Sequence, residues 1–121
     1  MARVVHFEVP VDDAERAQKF YANVFDWEIS GWGGPGDYWL ASTGPRDAPG
    51  IDGALTSRAG NWAPLHVGVE SVDETLERVV QAGGEVLTPK MPIPGVGYMA
   101  YCRDTEGNGV GVFQEDPTAQ A

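Results

Sequence analysis

The chain has 121 residues, 42% of them hydrophobic and 21% charged, with a formal net charge of −10. That length makes one domain able to bury a core without covalent staples, and the acidic balance argues against nucleic acid and anionic membrane surfaces as partners. There is no apolar run near the ~20 residues of a membrane span and no basic-then-apolar leader, and the single cysteine, Cys102, fits a reducing cytoplasm and excludes an internal disulfide.

Residues 3–9 alternate, with Val5, Phe7 and Val9 on one face and Val4, His6 and Glu8 on the other. The apolar face should meet a helix, the face with the imidazole and carboxylate should line something else, and Pro10 should end the strand. Asp12 reads as a helix N-cap with Glu15 as its capping-box partner. Ala14, Ala17, Phe20, Tyr21, Val24 and Phe25 then recur at helical spacing. A short strand is expected over 27–30 and a loop over the glycine-rich stretch 31–36. The next strand should span 37–43 and carry Tyr38 and Trp39, followed by a loop over 44–53 and a strand over 54–58.

Residues 59–64, with Trp62, link to a second unit. It opens on a strand over 65–70 in which Leu65, Val67 and Val69 alternate with His66, Gly68 and Glu70. Ser71 caps the next helix, with Glu74 at the capping-box position. Val72, Leu76, Val79 and Val80 form its apolar stripe, and Gly83-Gly84 stops it. A short strand over 85–88, a proline-rich loop over 89–97 and a strand over 96–103 follow. The tight turn Asp104-Thr105-Glu106-Gly107-Asn108 leads into a last strand over 109–114 and a frayed tail over 116–121.

The order is β-α-β-β-β written twice, with His6 and His66 at the same place in each copy, one at the start of each first strand. This predicts an α+β fold of two tandem βαβββ modules, about 3–58 and 65–115 within a single domain 1–121. The curved mixed sheet would form a cup and the helices would lie on its outer face.

The stretches HFEVPVDDAERAQKFYANVFDWEI and LHVGVESVDETLERVVQAGGEV, with the turn RDTEGNGVGVF, resemble the vicinal oxygen chelate superfamily. That group holds glyoxalase I, extradiol dioxygenases and bleomycin-resistance proteins. The resemblance covers about residues 3–115 and implies a cup, commonly in a homodimer. In metal-dependent members it implies four ligands, on the first and fourth strands of each module. The first-strand positions match His6 and His66. The fourth-strand positions fall near Ala54 and at Gly111, so both expected carboxylates are missing. A catalytic divalent metal normally takes three or more protein ligands. Glu8 and Glu70, further along their strands, are the nearest substitutes.

The candidate ligand-binding residues are His6, Glu8, His66, Trp32, Trp62, Tyr98 and Tyr101, with Glu8 also a candidate catalytic carboxylate. The two histidines are read as cup-lining groups, as metal ligands or as core residues; an imidazole titrates near neutral pH and can serve as general acid or base. Glu8 either faces the cup beside His6 or pairs with Arg58 or Arg103. Trp32 and Trp62, in loops, suit the walls of an apolar site or a dimer interface, whereas Trp27 and Trp39 suit the core. Cys102 reads as a small buried apolar residue.

Two functions follow. One is a protein that binds a small, cationic or aromatic molecule in the cup without a complete metal site, as the resemblance to bleomycin-resistance proteins implies. The alternative is a lyase/isomerase or dioxygenase holding zinc, nickel, cobalt, iron or manganese through His6 and His66.

Overall fold

In chain order the elements are β1 (Arg3–His6), β2 (Glu8–Val11), α1 (Ala14–Phe25), β3 (Glu28–Gly31), β4 (Tyr38–Ser42), β5 (Gly53–Ser57), β6 (His66–Gly68), α2 (Val72–Gln81), β7 (Glu85–Val86), β8 (Met91–Ile93), β9 (Gly97–Arg103) and β10 (Gly109–Glu115). The computed structural model describes residues 2–34 and 36–120. Met1, Pro35 and Ala121 lie outside the described residues, so the expected loop over 31–36 and tail over 116–121 are followed only through their other members.

The chain divides into two units, one of His6–Trp62 and one of Met1–Val5 with Ala63–Ala121, each taken through its described residues. The first holds a mixed sheet in the order β2-β5-β4-β3, with β2 parallel to β5 and the other neighbours antiparallel. The second holds β1-β6-β10-β9-β7, with β6 parallel to β10 and β8 also pairing with β9. Apart from β1 and β8, the two orders correspond strand for strand. The α+β class and the repeated module are therefore present.

Several local expectations are corrected. The first strand is two: β1 joins the second unit's sheet, and the chain passes at Phe7 into β2 of the first. Pro10 does not end the strand but sits within β2, opposite Thr56. A proline is tolerated there because β2 is an edge strand and its missing N–H faces no neighbour. The α1 N-cap is Asp13, whose side chain accepts from the backbone N–H of Arg16. Asp12 instead takes the guanidinium of Arg58 at 3.1 Å. In the second unit, Ser71 caps α2 as expected, accepting from the Glu74 N–H at 3.1 Å.

The proline-rich stretch before β9 contains a strand of its own, β8. The tail is tied down: Asp116 donates its N–H to Val96, Gly95 donates to Ala119, and Ala119 is buried. The Asp116 carboxylate accepts from both the N–H and hydroxyl of Thr118, which hold it below the ordinary carboxylate range. The 104–108 turn is closed by Asp104, which accepts from the N–H groups of Glu106 and Asn108, with Gly107 at φ 84°.

The second unit's core lies under α2. Val72 of α2 packs with Ala100, Cys102 and Val112 of the sheet, and Val69, Leu76 and Val79 close around them. Burial pushes the Cys102 thiol up, with Asp104 adding to it, as expected of a small buried core residue. In the first unit the apolar stripe of α1 is wider than the sheet contact. Tyr21 stacks on Trp27 with centroids 4.8 Å apart, and Phe7 meets Trp27 at 5.6 Å. Phe20, Val24 and Phe25 remain 54%, 53% and 55% exposed, so they do not enter the core.

Candidate functional site

Strand alternation sorts the candidate residues by face. In the first unit Phe7 packs toward α1 through Trp27 and Tyr21, so Glu8, which follows it at the start of β2, takes the opposite face. The register aligns Glu8, Ala54 and Leu40 across β2, β5 and β4, with Pro10, Thr56 and Tyr38 in the row beside them. On this helix-free face His6 Nε2 and the Tyr38 hydroxyl share a 2.7 Å hydrogen bond, with their rings stacked at 6.4 Å. The ring of Trp32 meets Tyr38 edge-on at 5.8 Å. Glu8 is only 3% exposed. Arg58 pairs with Asp12 at 3.1 Å and Arg103 with Glu85 at 3.9 Å. A depression of about 390 Å³ borders His6, Leu40 and Asp52.

In the second unit Val112 packs under α2, so Gly111, its neighbour on β10, faces away from the helix together with His66, its partner on β6. Tyr101 pairs with Gly111 from β9 and meets His66 edge-on at 5.6 Å. His66 and Tyr101 are 4% and 8% exposed. The backbone N–H of Tyr101 donates to the buried Thr88 hydroxyl at 2.9 Å.

The register also changes the equivalence between the copies. Glu8 opposes Ala54 as His66 opposes Gly111, and each stands five residues before its helix N-cap, Asp13 or Ser71. The counterpart of His66 is thus Glu8; His6 stands two residues earlier, at the place of Pro64. The two histidines do not occupy the same position.

The remaining candidates are dispersed. Tyr98 packs on the helix side against the core under α2, with the Lys90 ammonium over its ring at 4.9 Å. It cannot share a face with Tyr101, three residues on. Hydrogen bonding to Asp73 raises the pKa of Lys90. Trp62 is half-buried in the segment after β5, and Trp39 is half-buried on β4. Glu70 lines a different cavity of about 590 Å³ beneath α2, with Val67, Val79 and Val110. That cavity is the larger, yet it lies on the helix side, walled by core valines, so volume does not choose the site. Tyr38 was missed as a site residue, although alternation from Leu40 places it on the helix-free face.

Among the described residues, no three His, Cys, Asp or Glu side chains come together in a way that could hold a divalent metal. Ala54 has no donor, and the space beside Gly111 is filled by the His66 ring. The residues present do not fit the metal that the resemblance implies.

Two mixed sheets, each of a βαβββ module with one helix and with polar residues on the face the helix leaves open, define the class of α+β domains built from a repeated βαβββ module. The match is specific: the model of the Glyoxalase/Bleomycin resistance protein/Dioxygenase superfamily covers residues 3–112, and the chain belongs to that family. It is 30% identical over 114 residues to "Putative glyoxylase CFP32" of Mycobacterium bovis, which covers 88% of this chain but 43% of that protein. The chain thus spans less than half the length of that curated relative. Among solved structures, hypothetical protein BH1468 from Bacillus halodurans superposes with a TM-score of 0.71 at 13% identity, covering 99% of both chains. Methylmalonyl-CoA epimerase from Mycobacterium tuberculosis superposes with a TM-score of 0.68 at 15% identity, over 94% of this chain and 88% of that one. These structural likenesses speak to fold alone. No helix among the described residues is long and apolar enough to cross a membrane.

Proposed function

We propose that the chain binds a small aromatic or cationic molecule on the helix-free faces of its sheets, without a metal. One observation carries the reading. Glu8 and His66, at equivalent strand positions, are buried to 3% and 4% exposure, each on the sheet face of its own unit that the helix leaves open. A carboxylate or an imidazole is seldom buried, so its placement on a sheet face that no helix covers favours a recognition role over simple packing. Supporting it are the aromatic run Trp32–Tyr38–His6, which offers rings for stacking, and the net charge of −10, which favours a cation. In this role Glu8 of the first unit accepts from or pairs with a cationic group, and Trp32 with Tyr38 forms an aromatic wall.

The test is tryptophan fluorescence with EDTA present, titrating acridine orange as a cationic aromatic and anilinonaphthalenesulfonate as an anionic one. Saturable quenching by the cation, weakened at least tenfold in Glu8→Gln, supports the reading. Calorimetry with zinc, nickel, cobalt, iron(II) or manganese is the counter-test: tight stoichiometric binding, lost in His6→Ala or His66→Ala, overturns it in favour of a metal enzyme. The same reading includes a homodimer, supported by the uncovered Phe20, Val24 and Phe25 on α1; light scattering showing only monomer removes that part.

A further inference from the structure

Gly111 and His66 stand side by side where β10 runs parallel to β6. A Cβ built on Gly111 would lie 2.5 Å from Nδ1 and 2.7 Å from both Cε1 and Cγ of His66. Real Cβ atoms do not approach other atoms so closely. The nearest atoms belong to a rigid ring whose Cγ sits on the stem, so relief would require rotating the whole imidazole or parting the strands. Backbone conformation gives no reason for glycine here: the chain has six glycines with positive φ among the described residues, and Gly111 is not one of them. Space is the reason left.

The ring is also held laterally. Tyr101, the β9 partner of Gly111, meets it edge-on at 5.6 Å with the planes at 84°. Tyr101 is itself fixed by its N–H bond to the Thr88 hydroxyl at 2.9 Å. At the equivalent place in the first unit, Ala54 accepts a Cβ beside Glu8, a longer side chain without a ring.

We infer that Gly111 is a positioning residue: with Tyr101 it seats the imidazole of His66 in one orientation on the helix-free sheet face, and the position is committed to that ring rather than to a side chain of its own. The use of that orientation rests on the ligand-binding reading above, but the seating does not.

The test is a double-mutant cycle of Gly111→Ala and His66→Ala, read by thermal unfolding and by NMR of the His66 ring protons. In the wild-type background Gly111→Ala lowers Tm by about 5 °C or more, and in the His66→Ala background by less than about 2 °C, because the clashing ring is gone. The Cδ2 and Cε1 proton resonances of His66, displaced by the Tyr101 ring current, move in Gly111→Ala and likewise in Tyr101→Leu. Equal Tm losses in both backgrounds, or unchanged His66 resonances in Gly111→Ala, overturn the inference. If Gly111→Ala does not fold, folding of the double variant supports it, and failure of both contradicts it. None of these readouts needs a ligand, so a failure of dye binding counts against the proposed function and leaves the seating of His66 standing.

Discussion

The two units set the same strand positions to different chemistry. In one, a buried carboxylate, Glu8, stands beside an alanine; in the other, a buried imidazole, His66, stands beside a glycine. The strand order and parallel pairing are shared, so the backbone repeat is kept while the side chains differ. The helices differ too. Val72 of α2 is fully buried in a closed apolar cluster, whereas no residue of α1 is buried. A repeat of this kind fixes where polar groups stand on a sheet face; it does not fix which groups they are.

The sharpest way to break the comparison is through the cores. Leu55, fully buried on β5, anchors the unit whose helix is less covered. Leu55→Ala should cost about 3 kcal/mol in urea unfolding. If it costs under about 1 kcal/mol, Leu55 does not anchor the first unit's packing. A smaller effect belongs to the caps. Ser71→Ala should cost about 1 kcal/mol, and Asp13→Ala a similar amount. The Asp13 effect should shrink at high salt, since it adds a charge at the helix N-terminus; equal salt responses would erase that distinction.

The smallest effect concerns pH. The Asp116 carboxylate is held below its ordinary range by Thr118, and that of Asp104 by the N–H groups and side chain of the 104–108 turn. For an acid whose folded pKa is depressed, the stabilisation is fully present above its unfolded value and is lost as pH falls through the folded one. Stability should therefore decline from the ordinary carboxylate range downward. Asp116→Asn and Asp104→Asn should each flatten that slope slightly, as read from urea midpoints between pH 6 and pH 2. An unchanged slope in both would remove these groups from the account. All of these residues lie in the second unit, so the first unit's spectroscopic signals should be the less affected.

Most of the architecture was legible because it rests on periodicity and punctuation. The helices, the Ser71 cap, the turn at Gly107 and the repeated order all follow from local residue patterns. What was not legible depended on neighbours in space. Pro10 reads as a strand end unless one knows that β2 lies at a sheet edge. Asp12 and Asp13 are equally good caps by type, and the choice is made by Arg58, which takes Asp12. Ala119 looks like tail until the Gly95 N–H finds its carbonyl. At the site, two histidines near two strand starts suggested an equivalence that counting back from the helix caps would have refused. Alternation alone would also have parted Tyr98 from Tyr101. That the His66 ring fills the space beside Gly111 needed coordinates, since a glycine in a strand does not say what lies over it.

The central claim is that the helix-free face of the first unit recognises a cationic ligand through Glu8 without a metal ion. Its most direct test is the affinity for acridine orange in EDTA, compared between the wild type and Glu8→Gln, each shown to be folded by circular dichroism. Saturable binding by the wild type, weakened at least tenfold in the variant and unchanged by added zinc or nickel, is the result expected. Binding that appears only when a divalent metal is restored, or that is indifferent to the substitution, would contradict it.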